Sequence, residues 1–173
     1  MMKKRMISIL MAVVLVFGLT AGCTAQPQET QPQETTAPVA ALPDLETLYN
    51  QGMEVLAQLG PDAPILFPET NLDYINEFYP GIVDIELKQF YAGVAPVTNA
   101  PFEIILVEVA NEADVSTVLE IFQGRVDRES DDTAYPENAE AWLNNCKITS
   151  RGNYVFLAVL MGSYEIPAEF ILD

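Results

Sequence analysis

The chain contains no histidine in 173 residues. That excludes serine and cysteine triads that use an imidazole base, and metal centres built on imidazole ligands. No Walker loop and no GxGxxG turn is present, so no nucleotide-binding motif is available. No SxxK pattern follows Cys23, which removes the familiar serine–lysine arrangement. Basic side chains are scarce, at 8 against 25 acidic ones, for a net charge of −17. Phosphate contacts need Lys and Arg, so nucleic acid is not an expected partner. Cysteine occurs twice, at Cys23 and Cys146. Once Cys23 is assigned below, Cys146 is left alone and no internal disulfide is expected. No cofactor is implied.

Long apolar runs are also lacking, with one instructive exception. Lys3, Lys4 and Arg5 precede an apolar run from Met6 to Leu19. A bilayer-spanning helix needs roughly 20 apolar residues. This run is shorter, and it suits the hydrophobic region of a signal peptide. It ends on Leu19-Thr20-Ala21-Gly22-Cys23, which resembles the lipobox of bacterial lipoproteins. Two small residues precede the cysteine as in that family, while Thr20 stands where leucine is commonest. The resemblance implies lipid attachment at the Cys23 thiol and cleavage of residues 1–22. The expected location is the cell membrane, lipid-anchored on its extracytoplasmic face. Two or more acyl chains give stable anchoring at about 0.8 kcal/mol per buried methylene.

Cleavage removes Lys3, Lys4 and Arg5 and no acid. Five basic side chains then face 25 acidic ones, a net charge of about −20. Such a surface keeps the domain soluble and away from an anionic lipid plane. Residues 23–41 are read as the lipidated cysteine followed by a low-complexity spacer. QPQET occurs at 26–30 and again at 31–35. Proline at this density favours extended chain and forbids a packed core. The spacer reaches roughly 55 Å at most.

Residues 42–173 are read as one domain. Asp44 caps a helix over 45–59, which Gly60-Pro61 stops. Pro64 to Pro68 reads as irregular, and 72–79 as a short helix. Alternation marks a strand over 83–94. Phe102 to Val109 is apolar on nearly both faces and therefore central. Asn111 opens a helix with Asp114 as the acidic member of a capping box. Val115, Val118, Leu119, Phe122 and Val126 follow its apolar side, and Arg125 and Arg128 suit its C-terminal dipole. Tyr135-Pro136 starts another helix. Cys146–Ser150 and Tyr154–Met161 form a hairpin turned at 151–153, and 166–172 closes the chain as a short helix. The expected fold is α+β: a four-stranded, mostly antiparallel sheet, two hairpins separated by helices, with helices packed on it. A ferredoxin-like split arrangement is the alternative.

The strand-turn-strand of 83–109, Gly124-Arg125-Val126, Tyr135-Pro136 and Gly152-Asn153-Tyr154-Val155 together resemble the domain-of-unknown-function family 4358, small lipoproteins of Gram-positive bacteria. The resemblance covers about 72–161. It implies no activity, so no site residue follows from it. Each marker also has a structural reading: Gly152 supplies positive φ to a tight turn, and Pro136 suits a first helical position.

Carboxylates are the only plentiful reactive groups. Glu86, Glu103 and Glu108 fall on expected strands, with Glu86 and Glu103 read as facing solvent. The stretch 127–132 alternates like the start of a calcium loop, but the sixth position lacks glycine and the twelfth lacks Glu. Tyr74, Phe78, Tyr79, Phe90 and Tyr91 form either a binding platform or ordinary core. Cys146 reads as a small buried hydrophobe.

The expectation from the sequence is a membrane-anchored extracytoplasmic lipoprotein, with Cys23 as its lipid attachment site and no catalytic or metal-binding residue. The expected role is a non-enzymatic binding or assembly module for a protein or envelope partner. Capture of a small ligand or substrate is the alternative, and a histidine-free hydrolase is a third class.

Overall fold

The computed structural model describes residues 42–96, 100–162 and 164–172. The proposed signal, Cys23 and the spacer lie outside the described residues. Among the described residues no helix is long and apolar enough to cross a membrane.

Five strands form one open sheet: β1 (Phe67–Glu69), β2 (Leu87–Val94), β3 (Glu103–Val109), β4 (Cys146–Arg151) and β5 (Tyr154–Val159). Their order is β1-β2-β3-β5-β4, and every neighbouring pair is antiparallel. The α+β class and the two hairpins agree with the sequence reading. The strand number is five rather than four, because Phe67-Pro68-Glu69 adds to the edge of β2. The hairpins lie side by side, β3 against β5, so the split alternative is not the one adopted.

Helices cover both faces of the sheet. Side chains alternate along a strand, and on β3 both sets are apolar. Ile105, Val107 and Val109 turn to a core shared with α2 (Leu72–Asn76), α3 (Val115–Ser130) and α4 (Pro136–Asn145). Ile104 and Leu106 turn to a second core under α1 (Leu45–Ala57) and the C-terminal segment. β5 divides in the same way, with Val155, Leu157 and Val159 on one side and Phe156 and Ala158 on the other. Each of these fully buried Val, Leu, Ile and Phe side chains contributes about 1.5–3 kcal/mol relative to exposure.

Local chemistry fixes the element ends. Asp44 accepts from the Thr47 amide at 2.9 Å and starts α1 as expected. Gln89 of β2 accepts from the Leu45 amide at 3.0 Å, which ties the start of α1 to the sheet. Two glycines let α1 approach closely. A Cβ at Gly52 would stand 2.2 Å from the Phe170 ring, and one at Gly93 would stand 2.5 Å from that of Tyr49. Gly152 takes φ +55° in the β4–β5 turn. Its neighbour Asn153 continues the ladder, its carbonyl accepting from the Val109 amide at 2.9 Å and its Nδ2 donating to the Val109 carbonyl at 3.1 Å.

Other expectations shift. The strand expected over 83–94 begins only at Leu87, because residues 82–84 form a 3-10 turn after Gly81. Residues 112–114 likewise form a 3-10 turn, and neither Asn111 nor Asp114 makes a side-chain cap. The terminal helix shrinks to a 3-10 turn over Ala168–Phe170, pinned by buried Phe170.

Candidate functional site

The sheet face under α3 holds two buried charged side chains, Glu103 at 8% and Arg125 at 5% exposure. Glu103 opens β3 and is in phase with Ile105, Val107 and Val109. Arg125 lies on α3 in phase with buried Val118 and Phe122. The two meet directly as an ion pair, Arg125 Nη2 to Glu103 Oε1. Tyr79 donates its hydroxyl to the other Glu103 oxygen at 2.7 Å. Arg125 Nη1 reaches Glu129, one turn on, at 2.5 Å.

Aromatic rings enclose the guanidinium. Its centre lies 5.2 Å from the Phe78 ring, 5.2 Å from Trp142 and 5.9 Å from Tyr79. Cation–π attraction of this kind grows with desolvation, to about 2 kcal/mol or more. Arg125 Nε finds no partner among the described residues. Nearby, Arg128 donates to the Phe78 carbonyl, and Asn76 Oδ1 accepts from the Gly81 amide at 2.9 Å. Two arginines of α3 thus hold residues 78–79 of the α2–β2 connection against the sheet.

The electrostatics follow from burial. Tyr79 is held well above the ordinary phenol value, first by burial and then by the Glu103 charge. Cys146 occupies the same cross-strand row as Glu103, with Val159 of β5 between them. Burial pushes its thiol up to about 12, and Glu103 adds to the shift. A thiol so held is not a nucleophile near neutrality. Its reading as a small buried hydrophobe holds in part: Cys146 is half-buried and packs against the α2–α4 core.

The reading of Glu103 as a solvent-facing carboxylate is overturned. It stands at the first position of β3, where a charge suggests a strand end, but its neighbours across the sheet place it inward. Glu86 is exposed and precedes β2. Glu108 points to the opposite face from Glu103, where it meets Lys88 at 3.5 Å and Gln89 Nε2 at 2.7 Å. The three strand carboxylates are therefore not brought together. Lys147 and Ser150 fall on opposite faces of β4, as their spacing requires.

The aromatic cluster divides. Tyr74, Phe78, Tyr79 and Phe90 pack with the α2–α4 core, whereas Tyr91 packs with the α1 core and meets the Tyr49 ring in a tilted contact, centroids 4.9 Å apart. It is core on both sides of the sheet. In 127–132 three of the four carboxylates have separate partners. Asp127 accepts from Gln123 at 2.7 Å, Glu129 from Arg125, and Asp132 from the Ala134 amide at 2.8 Å. No group of metal-ligating side chains is assembled among the described residues.

A surface hollow of about 370 Å³ lies where α4 faces the exit of β5. Glu137, Glu140, Asn144 and Asn145 line it with Met161 and Gly162. Asn145 Nδ2 donates to the Gly162 carbonyl at 3.0 Å and fixes that rim.

The buried cluster was missed as a unit by sequence reasoning. The signal was present, since Glu103 and Arg125 each occupy an apolar phase of their element. Together the observations define an α+β domain: an open antiparallel sheet, helices on both faces and a buried ionic clamp. Residues 69–160 match the model of the family described as Domain of unknown function (DUF4358), and the chain belongs to that family. The match spans the whole clamp, from Tyr79 through Glu103 and Arg125 to Trp142. No curated protein and no solved structure matches the chain.

Proposed function

We propose that the protein is a membrane-anchored extracytoplasmic lipoprotein whose domain binds a protein or envelope partner without catalysing a reaction. The observation that carries this reading is Lys3-Lys4-Arg5, the short apolar run and Leu19-Thr20-Ala21-Gly22-Cys23, taken in that order. A lipid anchor at Cys23 followed by an extended spacer holds the domain near the membrane while letting it search the surrounding layer. The chemistry of the domain is consistent with binding. Its most distinctive ionisable cluster is buried, and Arg125, Tyr79 and Glu129 occupy its polar groups, so it acts as a clamp and offers no free base.

Crosslinking on intact cells tests the reading. The wild-type chain is expected to capture a defined partner, and Cys23→Ser is expected to lose it along with the membrane. Equal capture by both chains, or by neither, counts against it.

A second reading, capture of a small ligand, is favoured by the hollow beside α4. Its carboxylates and amides suit a cationic or hydrogen-bonding ligand. Glu140→Gln would then abolish ligand binding while leaving partner crosslinking intact.

A further inference from the structure

We infer that the surface from the end of α1 to β1 is the partner-docking face, and that it takes a cationic segment bearing apolar side chains. This rests on the partner-binding reading above. Among the described residues seven large apolar side chains are exposed, and four of them, Val55, Leu59, Ile65 and Phe67, fall between positions 55 and 67. Ile65 and Phe67 are 66% and 55% exposed, while Leu66 between them is anchored in the α1 core at 7%. The backbone is thus fixed and presents two apolar side chains outward. Val55 and Leu59 are spaced i, i+4, and both are exposed.

Charge selects the occupant. No Lys or Arg occurs anywhere from Met6 to Leu87. Within 54–69 the charged residues are Glu54, Asp62 and Glu69, all acidic, with Glu54 exposed and Glu69 half-buried. An apolar patch whose own charges are all acidic, on a chain of net charge −17, disfavours a second copy of this chain, an anionic lipid surface and nucleic acid. It attracts a segment that supplies Lys or Arg around an apolar anchor. Contact through side chains is the mode expected. β1 is an edge strand of three residues with Pro68 at its centre, and proline in an edge strand leaves no N–H for an added strand to meet.

The test uses the full chain in phosphatidylcholine nanodiscs, with empty nanodiscs as control. The probes are two short amphipathic peptides of equal Leu content, one carrying Lys and the other Glu, each with a photocrosslinker. The Lys peptide is expected to bind, to weaken as salt rises and to crosslink within 54–69, while the Glu peptide does not bind. Ile65→Ser/Phe67→Ser is expected to weaken binding at least about tenfold, the scale of an interface anchor. Both side chains are exposed, so thermal unfolding should be unchanged. Leu143→Ser, which alters an exposed apolar residue on α4, is expected to bind as wild type. Absence of Lys-peptide binding, crosslinks elsewhere, or unchanged binding by the double variant overturns the proposal. On cells, a partner still captured by Ile65→Ser/Phe67→Ser refutes this face and leaves the partner reading standing. Capture of nothing by the wild-type chain refutes the partner reading itself.

Discussion

Arg125 of α3 and Glu103 of β3, separated by 22 residues in sequence, form an ion pair inside the layer between helix and sheet. The pair is enclosed by Phe78, Tyr79 and Trp142. Removing two charges from water is costly, and their attraction offsets that cost only when the remaining polar atoms are also satisfied. Here Tyr79 and Glu129 supply most of that satisfaction. The pair sets where α3 lies over the sheet, because only one register brings the guanidinium to the carboxylate.

Breaking the pair from one side strands the other charge. Arg125→Met or Glu103→Leu is expected to destabilise the domain by about 3–5 kcal/mol. Glu103→Leu/Arg125→Met removes both charges and is expected to cost much less than the two single changes added together. Urea unfolding of the four proteins checks this, with the midpoint moving and the slope held. Additive losses would show that the two side chains act independently.

The domain should lose stability in alkali. Burial raises Cys146 from its ordinary 9.0 to about 12, burial and Tyr91 raise Tyr49 from 10.0 to about 12, and burial and the Glu103 charge hold Tyr79 well above 10.0. In each case the folded state keeps a proton that the unfolded chain releases. The stabilisation is therefore fully present below the unfolded value and is lost as pH rises through the folded one. Stability from denaturant unfolding should be flat with respect to these groups below pH 9 and fall between about pH 9 and 12. In a Cys23→Ser background, Cys146 should resist a thiol reagent near neutrality until the chain is unfolded. Rapid labelling of the folded chain would show that the thiol is open.

Glycines in two helices should respond in opposite directions. Gly52→Ala places a methyl against the Phe170 ring and is expected to cost about 1–3 kcal/mol by overpacking. Gly124→Ala in α3 meets nothing within 4 Å. It is expected to stabilise by about 0.5–1 kcal/mol through helix propensity. Thermal unfolding of the two variants separates these effects, and a gain from Gly52→Ala would contradict the close approach of α1 to the C-terminal segment.

Much of this fold is written locally. α1 has its Asp44 cap, β3 is apolar in both phases, and Gly152-Asn153 specifies a two-residue turn. What was not legible depends on pairing across the sheet. Phe67-Pro68-Glu69 has no alternation of its own and becomes a strand only because β2 offers an edge. Residues 82–84 alternate like a strand, but Gly81 at φ +97° turns the backbone and delays β2 to Leu87. The buried clamp was hidden by a reasonable rule, that charges on strands face solvent. Phase was the better guide, since Glu103 keeps step with Ile105 and Val107, and Arg125 with Val118 and Phe122. No such phase argument applies to Cys23, whose proposed role rests on the order of residue types before it.

The central claim is that Cys23 is the lipidated first residue of the mature protein. Intact-mass analysis of the protein purified from membranes tests it most directly. The account predicts a chain beginning at Cys23 and heavier than residues 23–173 by a diacylglyceryl group. A chain that retains residues 1–22, or one with an unmodified Cys23 thiol, would contradict it.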